Sequence, residues 1–307
     1  MKVLITGAGG FIGKSLRECL KKKEDLCILS PTRNELDISD ENAVDKYIVK
    51  HKPDIIVHTA NKGGDRTTIS LEDVVHNNLR MFFNIAKQSS KVHKIIHLGS
   101  GAEYGKNKPI VDAKEEDANL AFPKDDYGFY KSVCSRYIEK SDNMVNLRIF
   151  GCYGEYEDYR FKFISNAIVK NLLHLPIVIN QNVFFDYIYI EDLVRIIEWF
   201  IHNDSKYKIY NATSGKKIDL ITLANTINKV SDFQSKIEVF NSGLNNEYTS
   251  SNQRLMEELG EFKFISHEKA IVKMRNYFGY NLDKLDQKTI VNDPYLKKCN
   301  TIWNKGN

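Results

Sequence analysis

The sequence predicts an α/β fold, in which a doubly wound parallel sheet is followed by a smaller C-terminal α/β lobe. Two observations support this prediction. Short apolar runs alternate with longer helical patterns through the first half of the chain, and the alternation becomes less regular after about residue 151. Strands that are buried on both faces have continuous apolar runs, and strands that alternate with helices form parallel sheets covered on both sides.

The first half contains five runs predicted as strands, with predicted helices between them. The strands are KVLITGA (2–8), DLCILSP (25–31), PDIIVHTA (53–60), KIIHLGSG (94–101) and NMVNLRIFG (143–151). The helices are GKSLRECLKKK (13–23), ENAVDKYIVKHK (41–52), LEDVVHNNLRMFFNIAKQSS (71–90) and a helix over 127–141 that opens with YGFYKSVCSRYIE. Parallel strands need such crossover connections, so the pattern is consistent with a single parallel sheet.

The second half mixes predicted strands and helices. FKFISNAIVKNLL (161–173) and EDLVRIIEWFIHN (191–203) have helical patterns, and PIVINQNVFFDYIYI (176–190) has strand-like runs. KIYNATSGKKIDLITLANTINKVS (208–231) predicts a strand, a glycine turn and a helix. The tail from 280 to 307 is polar with scattered aromatic residues, and its pattern predicts no role.

The composition excludes several classes of function. A chain of 307 residues can bury a large core, and its net charge of +4 is spread without a long basic block, which argues against dedicated nucleic-acid binding. The five cysteines form no Cys-x-x-Cys pair, so we expect neither a disulfide framework nor a metal site. We find no leader-type cleavage site and no apolar run of the ~20 residues that cross a bilayer. We therefore expect a cytoplasmic protein without a membrane segment.

The stretch ITGAGGFIGKSL places Gly7, Gly10 and Gly13 between the first strand and the first helix. One glycine permits the tight turn, another lets the backbone approach a pyrophosphate, and the third allows close packing of helix and strand. The helix N-terminus adds unpaired N–H groups and a partial positive charge. The stretch, including Phe11 and Ile12, therefore predicts a dinucleotide-binding loop, and a glycine turn without a ligand is the alternative.

The Gly-x-x-Gly-x-x-Gly spacing resembles that of the short-chain dehydrogenase/reductase superfamily, in its extended, nucleotide-sugar branch of NAD(P)-dependent epimerases, dehydratases and reductases. The resemblance covers about residues 1 to 278. The matching motifs are Ser100 in LGSGAEYG, Tyr127 and Lys131 in YGFYK, Asn78 in NNLRMFFN, FFDYIYIEDL (184–193), YNATSGKKIDL (210–220) and LMEELGEFKF (255–264). The order and separations of these motifs agree with the family pattern. A single Tyr-x-x-x-Lys pair would not establish the resemblance, because such a pair arises easily by chance in a chain with 16 tyrosines.

The resemblance implies a catalytic set of Ser100, Tyr127 and Lys131. Hydride transfer to a sugar ketone leaves an oxygen that needs a proton, and a free tyrosine with a pKa of about 10 supplies it poorly at neutral pH. We expect the Lys131 ammonium to lower the pKa of Tyr127 and to hold the nicotinamide ribose, and Ser100 to hydrogen-bond the substrate oxygen. The alternatives are that Ser100 only caps a helix or lies in a turn, and that Tyr127 and Lys131 are a pair of surface residues on a helix.

The resemblance also implies a Rossmann dinucleotide-binding domain over 1–151, to which 185–212 returns. The substrate-binding lobe would comprise 152–184 and 213–279. The residues expected to contact the cofactor are Gly7, Gly10, Phe11, Ile12, Gly13, Thr32, Arg33, Asp37, Ile38, Thr59, Ala60, Asn61, Asn78 and Lys131.

The end of the second strand indicates which dinucleotide is bound. NAD-preferring relatives usually place a carboxylate here for the ribose 2′-hydroxyl, but LSPTRNELDISD has Thr32 and Arg33 and no carboxylate before Glu35. Arg33 suits a 2′-phosphate. The stretch also resembles the TR-x-EL of GDP-fucose synthase and related 4-keto-6-deoxy-sugar reductases, in which case Asp37 and Ile38 would flank the adenine. We therefore expect NADP as the cofactor, and NAD is the alternative. The alternative for Arg33 is a solvated loop residue without a ligand.

Departures from the family pattern bear on the reaction. Family dehydratases carry an Asp-Glu pair directly after the catalytic Ser or Thr, and Gly101 and Ala102 occupy those positions, which disfavours 4,6-dehydration. The phosphate-binding arginine of the family is Phe185 here. We expect Ser100, Gly101 and Ala102 to line the substrate site. Arg160 or Lys162 would replace the phosphate contact, unless both belong to a solvated face.

The combined expectation is NADPH-dependent reduction of a nucleotide-linked 4-keto-6-deoxy sugar in surface-polysaccharide sugar synthesis. The first alternative is an NAD-dependent 4-epimerase, and the second is a non-catalytic nucleotide-binding protein of the same fold. The helices at 71–90 and 127–141 match those of the family's dimer bundle, so a homodimer is expected. The nucleotide, the sugar and the stereochemistry stay open.

Overall fold

The computed structural model describes residues 1–63, 72–120 and 122–300. The strands are β1 Lys2–Thr6, β2 Cys27–Leu29, β3 Ile55–His58, β4 Lys94–Ser100, β5 Ile110–Ala113, β6 Met144–Ile149, β7 Gly151–Tyr153, β8 Ile177–Asn182, β9 Phe184–Tyr189, β10 Ile209–Asn211, β11 Lys217–Asp219, β12 Ile237–Leu244 and β13 Tyr248–Ser250. The helices are α1 Phe11–Leu20, α2 Glu41–His51, α3 Val74–Ala86, α4 Asp126–Glu139, α5 Phe163–Leu172, α6 Ile190–His202, α7 Leu220–Lys229, α8 Gln253–Leu259, α9 His267–Tyr280, α10 Gln287–Val291 and α11 Pro294–Lys297.

The main sheet is parallel and has the strand order β10-β6-β4-β3-β1-β2. Alternate side chains of each strand point to opposite faces, and both faces are covered. Val3 and Ile5 of β1 belong to the core cluster shared with α1 and α6, whereas Leu4 belongs to the cluster shared with α2, α3 and α4. All three side chains are fully buried. The predicted doubly wound α/β fold is confirmed.

The strand order places a ligand crevice at the centre of this sheet. The strand β1 pairs with β2 on one side and with β3 on the other. The chain therefore runs from β1 to β2 in one direction along the sheet and then crosses back over β1 to β3, which makes the position between β1 and β3 a switch point. Ligands of open parallel sheets bind at this kind of switch point, outside the carboxyl ends of the strands. The register aligns Thr6 with His58 and His58 with His97, so the loops that follow β1, β3 and β4 begin at one edge.

A second sheet, with the order β11-β9-β13-β5 and with β7 paired to β9, lies outside the main one, and β12 and β8 form a separate parallel pair. The chain returns to the main sheet through α6 and β10. The expected return over 185–212 therefore needs a correction at its start, because 184–189 pairs within the second sheet. The strand β5, which we had placed in the first domain, also joins the second sheet. The division into two lobes stays our interpretation.

A buried ion pair stabilises the turn at the end of β4. Glu103 is fully buried and accepts a 2.6 Å hydrogen bond from Nε of Arg148 on β6. The other carboxylate oxygen of Glu103 accepts the backbone N–H of Ser100 at 2.9 Å. A Cβ on Gly99 would lie 2.5 Å from this carboxylate, so only glycine leaves room for it. Arg148 also donates to the Glu115 carbonyl and the Ser135 hydroxyl.

Residues 281–300, the C-terminal segment, pack on the second half of the fold. Ile290 of α10 is fully buried, and the Tyr295 ring of α11 lies 5.9 Å from that of Phe163. Asp293 caps α11 and forms an ion pair with the buried Lys170 of α5. The sequence predicted no role for this tail, of which residues 301–307 lie outside the described part. No helix in the described ranges has both the length and the apolar character that crossing a bilayer requires.

We expect the replacement Arg148→Ala to lower the free energy of unfolding by about 3–5 kcal/mol, because it leaves the Glu103 carboxylate buried without its cation. Arg33→Ala is the matched control. The Arg33 side chain is 83% exposed and pairs with the exposed Asp37, so we expect a loss below about 1 kcal/mol. Urea unfolding of the two variants measures both values, and equal losses would contradict a structural role for the buried pair.

Candidate active site

The glycine loop adopts the predicted tight turn. Gly7 has φ +72°, and a Cβ there would lie 2.6 Å from Cα of Ala60 on the loop after β3. A Cβ on Gly13 would meet the Gly7 carbonyl oxygen and would lie 2.7 Å from Oγ1 of Thr59. These two positions therefore need glycine, one for its conformation and the other for the close packing of α1 on the sheet.

The start of α1 has the features of a diphosphate site. Its N-cap, Gly10, provides no side-chain hydrogen bond, and the first turn contains no acidic residue. A Cβ on Gly9 would meet nothing within 4 Å, so the backbone here faces open space. Uncapped N–H groups at a helix N-terminus attract anions. The residues present therefore fit the diphosphate of a dinucleotide, and this loop, with Phe11 and Ile12 half-buried behind it, would hold it.

The segment after β2 presents one cation. The Arg33 side chain is 83% exposed, and its guanidinium lies 3.4 Å from the Asp37 carboxylate. Glu35 accepts hydrogen bonds from the backbone and hydroxyl of Thr32, at 2.7 and 2.9 Å. Ile38 was expected to flank the adenine, but its side chain is buried in the core cluster beneath α2 and α3.

The residues expected after β3 stabilise their own loop. Thr59 donates its hydroxyl to the Thr6 carbonyl at 2.7 Å, and Asn61 accepts the hydroxyl of Tyr130. Asn78, on α3, is buried and uses both amide hydrogens on the Val74 and Lys62 carbonyls, each at 2.8 Å. Its oxygen accepts the Lys62 N–H at the same distance. The geometry therefore assigns Asn78 to holding the loop, whereas we had expected a direct cofactor contact.

Ser100 and Tyr127 come together at the end of β4. Ser100 is buried, and its hydroxyl accepts the Ala102 N–H at 3.1 Å, so the serine caps the following turn. The same hydroxyl is in hydrogen-bonding reach of the phenols of Tyr127 and Tyr248. Gly128 explains the close approach, since a Cβ there would lie 2.6 Å from the Ala102 carbonyl oxygen. The cap and the contact with Tyr127 coexist, because the serine proton is still available for donation.

Burial, rather than Lys131, dominates the acidity of Tyr127. Desolvation raises the pKa of Tyr127 to about 12, and the hydrogen bond with Ser100 opposes the rise. Lys131 is buried, donates its ammonium to the Leu98 carbonyl, and has a pKa lowered by desolvation. The expected lowering of the Tyr127 pKa by Lys131 is not seen, and the ammonium contacts the β4 backbone instead of the phenol.

A cavity of about 460 Å³ lies between the second sheet, α5 and the C-terminal segment. Of the two basic residues expected in the substrate site, Lys162 lines this cavity, whereas Arg160 does not, because its guanidinium is paired with Asp158 at 2.9 Å. Gly101 and Ala102 are buried beside the cavity wall. A Cβ on Gly101 would lie 2.5 Å from the Tyr248 hydroxyl and 2.8 Å from the Phe150 ring, both of which line the cavity.

Sequence reasoning missed three contributors to this site. Tyr248, in NNEYTS, carries no motif, and only the pairing of β13 with β9 and β5 brings it to Ser100. Lys106 lies with its ammonium 5.1 Å from the Tyr248 ring centre and 5.9 Å from that of Tyr127. The wall formed by the C-terminal segment had a detectable signal, since Asp293 followed by Pro294 is a common helix start.

The fold and the glycine loop define a Rossmann-type dinucleotide-binding protein. Residues 3–213 match the model of the NAD dependent epimerase/dehydratase family. This match covers more than half of the chain, and the chain belongs to that family. The resemblance to the extended short-chain dehydrogenase/reductases is thereby confirmed. Within the described ranges, no three His, Cys, Asp or Glu side chains gather as a metal-binding cluster.

Individual relatives are distant. GDP-L-colitose synthase of Yersinia pseudotuberculosis is 25% identical over 230 residues, which cover 67% of this chain and 74% of that protein. Among solved structures, the GDP-mannoheptose C4 reductase from Campylobacter jejuni with NADP bound has a TM-score of 0.77 at 21% identity, covering 92% of this chain and 98% of its own. UDP-glucose 4-epimerase from Thermotoga maritima with UDP-glucose has a TM-score of 0.79 at 20% identity, covering 92% and 100%. The shared fold thus occurs in both reductases and epimerases.

Two buried histidines lie below the site. The rings of His58 and His97 are stacked 5.4 Å apart, and neither ring nitrogen of His97 has a hydrogen-bond partner among the described residues. Desolvation, with the charge of Lys131, lowers the pKa of His58 to about 3 and that of His97 well below its usual value.

These pKa shifts predict a loss of stability in acid. Both histidines protonate in the unfolded chain below pH ~6.5 but stay neutral in the folded one, so stability is complete above pH ~6.5 and falls below it. Each histidine contributes about 1.4 kcal/mol per pH unit in that range. His97→Leu should flatten the dependence between pH 6.5 and 5, measured by urea unfolding. An unchanged slope would contradict the assignment.

Proposed function

We propose that the protein is a cytoplasmic, NADPH-dependent reductase of a nucleotide-linked 4-keto-6-deoxy sugar, which supplies sugars for surface polysaccharides. The observation that carries the proposal is the half-buried Tyr127, whose phenol lies within hydrogen-bonding reach of the Ser100 hydroxyl at the edge where the glycine loop begins. In this proposal Tyr127 gives its proton to the sugar oxygen and Ser100 donates a hydrogen bond to the same oxygen. NADPH, when bound, would supply the hydride.

The protonation state of Tyr127 agrees with reduction better than with epimerisation. With its pKa raised to about 12, the phenol carries at neutral pH the proton that ketone reduction consumes, although desolvation makes it a weaker acid than a free tyrosine. An epimerase begins by removing a hydroxyl proton, for which it needs the phenolate. Burial without a cation bonded to the phenol makes that phenolate costly.

The segment after β2 supports NADPH as the cofactor. Arg33 presents an exposed guanidinium suited to a 2′-phosphate, whereas the Glu35 carboxylate is bonded to Thr32. The C. jejuni relative of the same fold has NADP bound. A purified protein that carries tightly bound NAD and is inert toward added NADPH would instead support the 4-epimerase.

Dehydration is disfavoured on structural grounds. A dehydratase needs an acid directly after Ser100, and a side chain at Gly101 would collide with Tyr248 and Phe150. Glu103, one turn away, is committed to Arg148 and to the Ser100 backbone. Neither position therefore offers an acid for eliminating water.

We expect Tyr127→Phe to lower kcat for NADPH oxidation by about 10²–10⁴-fold, because it removes the proton donor. The assay uses a panel of nucleotide-linked keto sugars, and binding of NADPH should be unchanged. Tyr137→Phe, on the same helix and 43% exposed before substitution, is the matched control with wild-type activity. Full activity of Tyr127→Phe would contradict the proposal. If the wild-type protein is inactive across the panel, a non-catalytic, nucleotide-binding role of the protein is supported instead.

We also propose a homodimer through α3 and α4. Their outer face carries a ring cluster, in which Tyr137 lies 5.3 Å from Phe83 and 5.8 Å from Phe82. Sedimentation should give twice the chain mass of 35.4 kDa, and Tyr137→Glu should shift the protein toward the monomer. Val49→Glu, at an exposed apolar position on α2, should leave the mass unchanged. A wild-type monomer would contradict the proposal.

A further inference from the structure

The C-terminal segment forms one wall of the cavity beside the catalytic residues. Tyr295, Lys298, Cys299 and Asn300 line the same cavity as Tyr248, which contacts Ser100. This wall is fixed in place. Besides the buried Ile290, the Asn300 carbonyl accepts hydrogen bonds from the Nδ2 atoms of two cavity residues on the opposite side, Asn180 at 3.2 Å and Asn245 at 2.9 Å.

The cavity is lined by more cations than anions. Four lysines face it, namely Lys106, Lys108, Lys162 and Lys298, against the carboxyls of Glu157 and Glu247. Glu247 lies 3.3 Å from the Lys217 ammonium, outside the cavity lining. Burial raises the pKa of Glu157 to about 7, so this carboxyl carries only part of a charge at neutral pH. The net positive potential suits an anion.

Lys298 is placed at the end of α11, where it is the C-cap residue and its backbone N–H bonds to the helix carbonyls. The side chain is exposed, and it takes part in no ion pair within the described chain. Its neighbour Lys297 is equally exposed but does not line the cavity. Lys297 and Lys298 are therefore adjacent, exposed lysines, of which Lys298 lines the cavity and Lys297 does not.

We propose that the C-terminal segment is part of the substrate site, with Lys298 contacting the diphosphate of a nucleoside-diphosphate ligand. The inference rests on the proposed function, since it concerns the nucleotide part of the same substrate. It also accounts for Phe185, which stands where the family carries a phosphate-binding arginine. Lys298, with Lys162 on the facing wall, supplies the positive charge that Phe185 does not.

The test measures calorimetric binding of GDP, UDP and ADP to the full chain. Lys298→Gln should weaken binding of the preferred diphosphate about three- to tenfold, as expected for an exposed charge-assisted contact. Lys298→Glu should weaken it further, and Lys298→Arg should largely retain it. Lys297→Gln is the matched control and should bind as the wild type does. NADP binding should be unaltered in every variant, which separates this site from the glycine loop.

The outcomes separate the two proposals. Unchanged diphosphate binding by Lys298→Gln would overturn this inference and leave the reductase intact, and so would an equal loss in Lys297→Gln. A wild-type protein that binds none of the three diphosphates would overturn this inference, and wild-type inactivity across the panel of nucleotide-linked keto sugars would overturn the reductase proposal. Thermal unfolding of each variant shows that the fold is retained, and a lower salt dependence of binding in Lys298→Gln would identify the lost contact as ionic.

Discussion

The in-register pairing of β1, β3 and β4 is the constraint on which the site depends. Because Thr6, His58 and His97 stand side by side, the loops after β1 and β3 begin at one level, and β4 runs on to Ser100 at the same edge of the sheet. The glycine loop and the loop after β3 then pack so closely that a single Cβ on Gly7 would collide with Ala60. The carboxyl ends of these parallel strands therefore share one edge of the sheet, which is where ligands bind in open α/β sheets.

The buried pair of Glu103 and Arg148 extends this order to Ser100 and Tyr127. One carboxylate oxygen receives the guanidinium of β6 and the other receives the Ser100 N–H, so the turn after β4 has a fixed shape. The helix α4 rests on that turn through Gly128, which brings Tyr127 to the Ser100 hydroxyl. A charge pair of this kind contributes more to positioning than to net stability, since burying both ions is costly.

The fold class and the proximity of Ser100 and Tyr127 could be predicted because their signals are local. Apolar runs, a glycine motif and a Tyr-x-x-x-Lys spacing depend on neighbouring residues, and the structure places Ser100 and Tyr127 together at the end of β4, whereas Lys131 contacts the Leu98 carbonyl. The substrate side could not be predicted in the same way. Tyr248 and Lys298 reach the cavity only through long-range strand pairing and helix packing, and Arg160 is withdrawn from it by Asp158. The direction of the Tyr127 pKa shift likewise could not be predicted, because it depends on how far folding removes the phenol from solvent.

Ser100 is touched from two sheets, by Tyr127 next to the main sheet and by Tyr248 of the second. Tyr248 lines the cavity, so a ligand bound there would contact the same tyrosine that reaches the Ser100 hydroxyl. In the proposed reaction, the fit of the ligand and the delivery of the proton would therefore both depend on these three hydroxyl groups. A poorly fitting ligand would be penalised in turnover as well as in affinity.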